Sequence, residues 1–359
     1  FDEVYESDFR LSTEQQTAIN LVGKTGVHLL QGVTGSGKTE VYLRLIEKKL
    51  RAGKQSLLLV PEIGLTPQAL QRFQAAFKVN TTVLHSGLSD KERLMGWQNA
   101  ASGHAGVIIG TRSSIFTPMA NPGLIIVDEE HDSSFKQHQG FRYSARDLAV
   151  LRGKIENIPV LLGSATPSLE SLHNVKLDKY SHLHLTQRPA GVTKEKYSII
   201  NLKHERLVNG FSDRLMEMIN DNLKKKGQVL IFLNRRGFSP VLLCAECKWI
   251  AVCSQCDARL TFHLSKSIMQ CHHCGIESLQ PDSCPECQNK ELLKIGLGTE
   301  RIEEHLKTIF PQTRIIRIDK DSTRKKDSFS RLLQEIEDGE PAILIGTQML
   351  AKGHHFQNV

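Results

Sequence analysis

The chain has 359 residues, enough for two or three domains, and its 40% hydrophobic and 24% charged residues are typical of a soluble globular protein. No apolar run approaches the roughly 20 residues that span a bilayer, and no secretory leader is visible, so we expect a cytoplasmic protein without a membrane contact. The net charge of +7 permits nucleic-acid binding but does not demand it. Since the sequence opens without Met, we expect that residues 1–10 are a linker within a longer protein.

The first functional motif is the glycine-rich stretch 32–39, GVTGSGKT, which fits the pattern G-x-x-x-x-G-K-[ST]. It lies between an apolar strand pattern at 27–30 and a helical pattern at 40–46, which is the setting that a phosphate-binding loop requires. Lys38 is then placed to reach the β- and γ-phosphates, and Thr39 to ligate Mg²⁺. A glycine-rich surface turn is the alternative. We predict a nucleoside triphosphate site whose contacts are Gly32, Thr34, Gly35, Ser36, Gly37, Lys38, Thr39 and Glu40.

A helix start at Ser12 or Thr13 places Gln15 shortly before this loop. The Gln15 amide would be able to read the edge of an adenine base. A solvated glutamine on a helix surface is the alternative.

Short apolar runs alternate with helical stretches and predict an α/β fold with a parallel sheet, whose active loops follow the carboxyl ends of the strands. In the first 185 residues the runs lie at 27–30, 55–60, 83–84, 106–110, 124–127 and 160–163. A second lobe is expected from residue 186, with strands at 228–233, 314–318 and 342–346.

The run at 124–127 delivers two carboxylates, Asp128 and Glu129, to the end of a buried strand. Asp128 is placed to hold the Mg²⁺ shell, and Glu129 to orient and polarise an attacking water molecule. Two acids that only cap a helix are the alternative. We predict Lys38, Thr39, Asp128 and Glu129 as the catalytic residues.

Aromatic and cationic residues interleave between Ser133 and Arg146. Aromatic faces stack on bases and cations meet the backbone of a single strand, so this loop predicts a nucleic-acid contact that hydrolysis would influence. A core-facing aromatic cluster is the alternative. The residues singled out here are Phe135, Phe141, Arg142 and Tyr143.

All eight cysteines lie between Cys244 and Cys287, in four C-x₂-C pairs separated by 5, 14 and 9 residues. Four such pairs can form two tetrahedral Cys₄ zinc sites. Nested pairing joins Cys253, Cys256, Cys271 and Cys274, and encloses that site with Cys244, Cys247, Cys284 and Cys287. Sequential pairing and iron–sulfur clusters remain as alternatives.

The order of motifs resembles that of superfamily 2 helicases, and in detail that of the PriA family of bacterial replication-restart helicases, also called primosomal protein N′. The resemblance rests on the phosphate loop, on 61–68, on 110–113, on 128–131 with its aromatic loop, on 163–168, on 232–240, on the eight cysteines and on 346–356. It covers nearly the whole chain from Leu11. It implies two RecA-like P-loop lobes with a small double-zinc insertion in the second lobe.

The domain boundaries expected from the resemblance are 1–10 for the linker, 11–185 for the ATP-binding lobe, 186–243 and 291–359 for the two parts of the second lobe, and 244–290 for the zinc insertion. The resemblance further implies an ATP-dependent 3′-to-5′ DNA helicase that remodels stalled forks and initiates primosome assembly. Its expected cofactors are ATP, Mg²⁺ and two Zn²⁺. Its expected partners are forked DNA, primosome proteins and single-strand-binding protein, and the protein itself is expected to be a monomer.

The same resemblance places DNA contacts at Thr66, Arg112, Phe135, Phe141, Arg142, Tyr143, Arg235 and Arg236. The DNA-binding regions that the family carries upstream and the arginine-bearing motif that it carries downstream lie outside the sequence. We therefore expect residues 1–359 alone to bind ATP but to hydrolyse it poorly. The alternative functions are a double-strand DNA translocase, a zinc-bearing scaffold module with a vestigial ATPase, and an RNA helicase.

Overall fold

The computed structural model forms two compact units, Phe1–Glu195 and Lys196–Val359. It describes residues 10–61, 77, 79–138, 140–187, 197–202, 205–233, 241–256, 258–263, 268–271, 274–295, 299–318, 332, 335–336, 338–346 and 358–359. Within these residues, no helix is long and apolar enough to cross a membrane.

The first unit alternates strands and helices along the chain, as the sequence predicts. Its strands are β1 (Val27–Gly32), β2 (Gln55–Leu59), β3 (Thr81–Leu84), β4 (Val107–Gly110), β5 (Pro122–Asp128), β6 (Val160–Ser164) and β7 (Ser181–Leu185). The helices in its described part are α1 (Thr13–Leu21), α2 (Lys38–Arg51), α3 (Asp90–Ala101), α4 (Ala145–Ile155) and α5 (Leu169–Lys176). Two short 3₁₀ turns, Arg112–Phe116 and Ser133–Phe135, follow β4 and β5.

The seven strands form one sheet in the order β3-β4-β2-β5-β6-β1-β7, and all their pairings are parallel. The central strands read as unbroken apolar runs because both faces of the sheet are covered. One core cluster packs α1 and α2 against one face, and a second packs α4 against the other face. Since β5 and β1 both pair with β6, the phosphate loop and the acidic motif leave the same edge of the sheet two strands apart.

Serine residues precede most of the helices that the structure describes. Each accepts a backbone N–H of the first turn, which satisfies a donor that the helix itself cannot pair. These caps are Ser12, Ser89, Ser144, Ser168 and Ser212. The predicted cap of the first helix is therefore confirmed at Ser12, where Gln15 completes a capping box.

The second unit contains a three-stranded parallel sheet in the order β10-β17-β16, from Val229–Phe232, Ala342–Gly346 and Arg314–Ile318. Helices α6 (Asp213–Lys224) and α7 (Thr299–Ile309) contribute to its core, and a short hairpin, β8 (Leu207–Val208) with β9 (Phe211–Ser212), precedes α6.

Between β10 and α7 the chain forms small antiparallel sheets. Strand β11 (Val241–Cys244) pairs with β15 (Leu292–Ile295), and between them lie β12 (Thr261–His263), β13 (Ile268–Gln270) and β14 (Glu277–Leu279). The pairing of β11 with β15 brings the two ends of the cysteine-rich segment together, so this segment inserts into the second unit at one place.

Candidate functional site

The phosphate loop connects β1 to α2 through two glycines with positive φ. Gly35 and Gly37 both have φ of +79°, a conformation that strains residues with a Cβ atom. A Cβ at Gly37 would also collide with the side-chain nitrogen of Gln15. Gly37 is the N-cap of α2, so the N–H groups of the first helical turn follow directly after the loop. This arrangement suits an anion at the helix start.

Two polar side chains of the loop show how it fits a phosphate ligand. The Ser36 hydroxyl is buried without a hydrogen-bond partner among the described residues. The Lys38 ammonium donates to the Gly32 carbonyl at 2.9 Å, which holds the charge over the loop. A buried unpartnered hydroxyl and a lysine folded over a glycine-rich turn are donors of the kind that phosphate oxygens accept.

Gln15 supports this loop from α1. Its side-chain nitrogen donates to the Ser36 carbonyl at 3.0 Å, and its side-chain oxygen accepts the Ser12 N–H at 2.8 Å. The residue is 3% exposed, so the alternative of a solvated glutamine is wrong. Contact with an adenine base stays a prediction. Glu40 is also buried and pairs with Arg44 Nε at 3.1 Å, so its nucleotide contact likewise stays a prediction.

Asp128 ends β5 and is linked to the phosphate-loop helix by a buried tyrosine. The Tyr42 hydroxyl donates to Asp128 Oδ1 at 2.8 Å, and the Glu129 N–H donates to the same oxygen at 3.0 Å. Tyr42 lies one turn after Lys38 in α2 and is 0% exposed. No sequence pattern points to Tyr42, because the contact joins residues 86 positions apart.

The surroundings of Asp128 weaken its acidity. Burial raises the pKa of Asp128 to about 6, and the charge of Glu129 acts in the same direction. The Tyr42 hydrogen bond, the positive charge of Lys38 and the Glu129 N–H act in the opposite direction. Since the folded state holds this proton more tightly than the unfolded chain does, ionising Asp128 costs stability as the pH rises from about 4 to about 6.

Glu129 has a backbone conformation that non-glycine residues seldom adopt, with φ of +50°. Its carboxylate lies 3.6 Å from His131 Nδ1, and the same ring nitrogen lies 2.8 Å from the Ser164 hydroxyl at the end of β6. The two neighbouring strand ends therefore meet through His131. The polar loop after β6 therefore lies beside the acidic motif.

Glu130 is a further acid that sequence reasoning left without a role. Its side chain is 0% exposed and contacts Arg146 at 3.3 Å, as well as the start of α5. A third acid in a row carries no sequence signal for burial, because charged residues are rarely buried unless paired.

The aromatic loop is divided between the core and the surface. Phe135 is 2% exposed and belongs to the core cluster beneath β5, so the prediction that it contacts DNA is wrong. Its ring fills space against apolar side chains, as the alternative of a core-facing aromatic residue described. Phe141 is 76% exposed, and its ring centroid lies 5.9 Å from that of Tyr143. Phe116 also packs against Tyr143 in an edge-to-face contact, with the ring centroids 5.0 Å apart.

Several of the predicted DNA-contacting side chains line two adjoining cavities. Arg112, Phe141 and Tyr143 line one of about 420 Å³, and Arg142 and Tyr143 line one of about 560 Å³ with Lys136 and His138. Arg112 Nη1 donates to the Ser134 and Lys136 carbonyls at 3.0 and 3.2 Å, so part of its guanidinium holds this loop. Thr66, Arg235 and Arg236 lie outside the described residues.

The eight cysteines form two groups of four, and the grouping is the nested one. Within each group all the sulfur atoms lie within 4.8 Å of one another. The outer group contains Cys244, Cys247, Cys284 and Cys287, and the inner group contains Cys253, Cys256, Cys271 and Cys274. The sequential pairing is therefore wrong, and neither group includes a histidine from the described part of the chain.

The cysteine geometry fits zinc better than disulfides. Pairs of sulfur atoms across each group are 3.5 Å apart, whereas a disulfide bond is about 2 Å long. Zinc–sulfur bonds of about 2.3 Å in a tetrahedron place sulfur atoms ~3.8 Å apart. Four thiolates leave no ligand position for water, so each group suits a structural metal that crosslinks the segment.

We expect two zinc ions per chain, and the nested grouping makes a specific prediction about their loss. The double variant Cys244→Ser/Cys284→Ser should lose one zinc, because both residues belong to the outer group. The variant Cys244→Ser/Cys253→Ser should lose both, because it disrupts both groups. Zinc content by mass spectrometry of the purified variants distinguishes the two. The reverse pattern would contradict the nested grouping.

Comparison with known proteins gives two family matches. A DEAD/DEAH box helicase model matches residues 12–175, which cover most of the first unit. A model of the PriA DNA helicase Cys-rich region (CRR) domain matches residues 253–278, which include the inner cysteine group.

Solved helicase structures share the fold of the chain. RecG bound to a three-way DNA junction has a TM-score of 0.55 at 18% identity, over 98% of this chain and 38% of its own. The DUF1998 helicase MrfA bound to DNA has a TM-score of 0.53 at 13% identity, over 96% of this chain and 43% of its own. These similarities confirm the predicted α/β helicase fold and by themselves carry no function.

Curated relatives match over nearly the whole chain. The replication restart protein PriA of Haemophilus influenzae is 51% identical over 99% of this chain and 50% of its own length. That of Bacillus subtilis is 40% identical over 100% of this chain and 47% of its own. The chain thus spans about half the length of the curated relatives that it matches. Over that half, the chain belongs to the PriA family of replication restart proteins.

Proposed function

We propose that the first unit binds and hydrolyses ATP, and that it is the motor of an ATP-dependent DNA helicase. The observation that carries the proposal is the direct bond between the two halves of the site. Tyr42 of the phosphate-loop helix donates to Asp128 at 2.8 Å, so Lys38, Thr39 and the acidic motif form one connected site. This contact would not be needed if the glycine-rich stretch were only a surface turn and the two acids only capped a helix.

The residues divide the work of phosphoryl transfer among them. Lys38 and the N–H groups at the start of α2 neutralise and hold the phosphates, and Gln15 keeps the loop in place. Thr39 and Asp128 would hold Mg²⁺, which when bound offsets charge on the phosphate oxygens. Glu129 is half-exposed beside them, where it can orient a water molecule and accept its proton.

We place single-stranded DNA on the surface around Phe141, Arg142 and Tyr143. An exposed aromatic ring beside cationic side chains gives stacking and backbone contacts without base specificity. Arg112 lines the same cavity and holds the loop between this surface and the acidic motif. Helicases of the same fold are described as bound to DNA, which supports DNA as the partner.

For the complete protein we propose the role that its relatives' name indicates, in replication restart. It would move 3′-to-5′ on forked DNA in the cytoplasm, and assemble with primosome proteins and single-strand-binding protein. The two zinc sites would form a separate surface within the second lobe. We also propose the lobe and insertion boundaries given above as the organisation of this motor.

ATP hydrolysis by the complete protein that carries this sequence should rise on addition of forked DNA. Lys38→Ala should lower the turnover number at least ~100-fold, because it removes the main positive charge at the phosphates. Lys24→Ala, which changes an exposed lysine before β1, is the matched control and should keep full activity. Equal turnover with and without DNA would contradict the helicase proposal and favour the zinc-bearing scaffold module.

The pH dependence of activity should report the partly buried carboxylate of Asp128. Because a protonated Asp128 cannot ligate Mg²⁺, kcat/KM for ATP, which reports ionisations of the free enzyme, should fall as the pH drops through about 6. Tyr42→Phe removes a hydrogen bond that lowers the pKa of Asp128, so the midpoint of this fall should move to higher pH.

Since ATP itself titrates in the same range, the shift between variant and wild type is the measured quantity. Tyr197→Phe, which removes the hydroxyl of an exposed tyrosine in the second unit, is its control. A midpoint that stays in place or moves to lower pH in Tyr42→Phe would contradict the assignment.

Phe141→Ala should weaken binding of single-stranded DNA roughly 5- to 150-fold, since loss of one stacked base costs about 1–3 kcal/mol. ATP affinity should stay unchanged, because the ring lies in the DNA cavity and not at the phosphate loop. Fluorescence anisotropy with a labelled oligonucleotide measures the first quantity. Trp97→Ala, at another exposed aromatic residue, is the control, and equal DNA affinity for all three proteins would exclude this surface.

A further inference from the structure

Glu130 carries a buried charge that the proposed hydrolysis does not use directly. Its side chain is 0% exposed, and its two oxygens accept four hydrogen bonds. Oε1 accepts the Ser168 N–H at 2.7 Å. Oε2 accepts from the Ser168 and Ser171 hydroxyls at 3.0 and 2.9 Å and from Arg146 Nη1 at 3.3 Å. A buried carboxylate is stable only with such a full set of donors.

These contacts join three segments of the first unit. Ser168 and Ser171 begin α5, directly after the loop that follows β6. Arg146 lies in the first turn of α4, directly after the aromatic loop. Glu130 itself follows the two site acids, and its N–H donates to the Gly163 carbonyl of β6 at 3.0 Å. One side chain therefore fixes the acidic motif relative to both loops.

Glu129 needs such support because of its backbone. A φ of +50° is strained for glutamate, and such a conformation persists only where the neighbouring structure holds it. On its N-terminal side, its N–H donates to Asp128 Oδ1. On its C-terminal side, the chain is held by Glu130 and by the Asp132 N–H, which donates to the Glu129 carbonyl at 2.8 Å.

We propose that Glu130 is a positioning residue, which holds Glu129 in its strained conformation and, through Arg146, ties that conformation to the aromatic loop. The inference deepens the proposed ATPase function and rests on it. Ordering of the aromatic loop on DNA would move or fix Arg146, and Glu130 would carry that change to the residue that orients water. Loss of Glu130 would thus impair hydrolysis and its response to DNA, but not nucleotide binding.

The test is Glu130→Gln in the complete protein, a substitution that keeps the shape but places an amide against Arg146. We expect the affinity for a fluorescent ATP analogue to stay within about twofold, since the phosphate loop is untouched. The turnover number should fall at least about tenfold, and stimulation by DNA should fall with it. Glu170→Gln is the matched control, because Glu170 lies 3.8 Å from the same Arg146 nitrogen but is 72% exposed.

A second readout does not depend on activity. Hydrogen exchange of the Glu130 and Asp132 amides should become roughly tenfold faster in Glu130→Gln, because the turn around Glu129 opens more often. Ser171→Ala removes one of the four hydrogen bonds and leaves the charge in place. In this variant the turnover number should fall, and the exchange of the two amides should rise, by about threefold. It replaces Glu130→Gln in the test if that variant does not fold.

Unchanged turnover in both variants would overturn the proposal, as would reduced turnover with unchanged exchange of the two amides. Faster exchange with weaker hydrolysis and normal nucleotide affinity supports it. If the wild-type protein hydrolyses no ATP, the proposed function fails, and the exchange of the Glu129 turn alone decides whether Glu130 holds it.

Discussion

Three consecutive carboxylates at the end of one buried strand are the constraint on which the site depends. Asp128, Glu129 and Glu130 would repel one another if they shared a single environment. The structure gives each a different one. Asp128 is partly buried but ionises with help from Tyr42 and Lys38, Glu129 is half-exposed, and Glu130 turns inward to Arg146. The positive φ of Glu129 separates the directions of its neighbours.

The packing around these carboxylates also explains why Gly163 is a glycine in β6, the strand that pairs with β5. A Cβ at Gly163 would collide with the Tyr42 hydroxyl, which is the group that donates to Asp128. The Gly163 carbonyl also accepts the Glu130 N–H. The strand next to the acidic motif therefore needs a residue without a side chain, because a helix side chain passes over it to reach the carboxylate. The absence of a side chain at Gly163 thus allows the hydrogen bond that couples the phosphate-loop helix to the acidic motif.

Sequence reasoning found the features that depend on local spacing. The phosphate loop, the strands that end in polar residues and the cysteine pairs are each encoded within a few positions, and the nested cysteine grouping follows from loop lengths. It did not find β7, whose alternating SHLHL pattern suits an edge strand with one exposed face. Nor did it find the bonds from Tyr42 or Arg146, which join residues distant in the chain. The prediction that Phe135 contacts DNA was wrong for another reason. The composition of a loop does not tell which of its aromatic rings turn into the core.

The cysteine-rich segment satisfies a different physical requirement. Its strands are three or four residues long, and among its described residues the apolar core contains few large side chains, such as Leu242, Phe262 and Met269. A core of that size does not by itself offset the entropy of ordering the chain. Four-thiolate metal sites supply the missing constraint, and two cysteines of the inner site belong to that core. Because β11 and β15 close the segment at its base, it can fold around its metals without altering the parallel sheet from which it emerges.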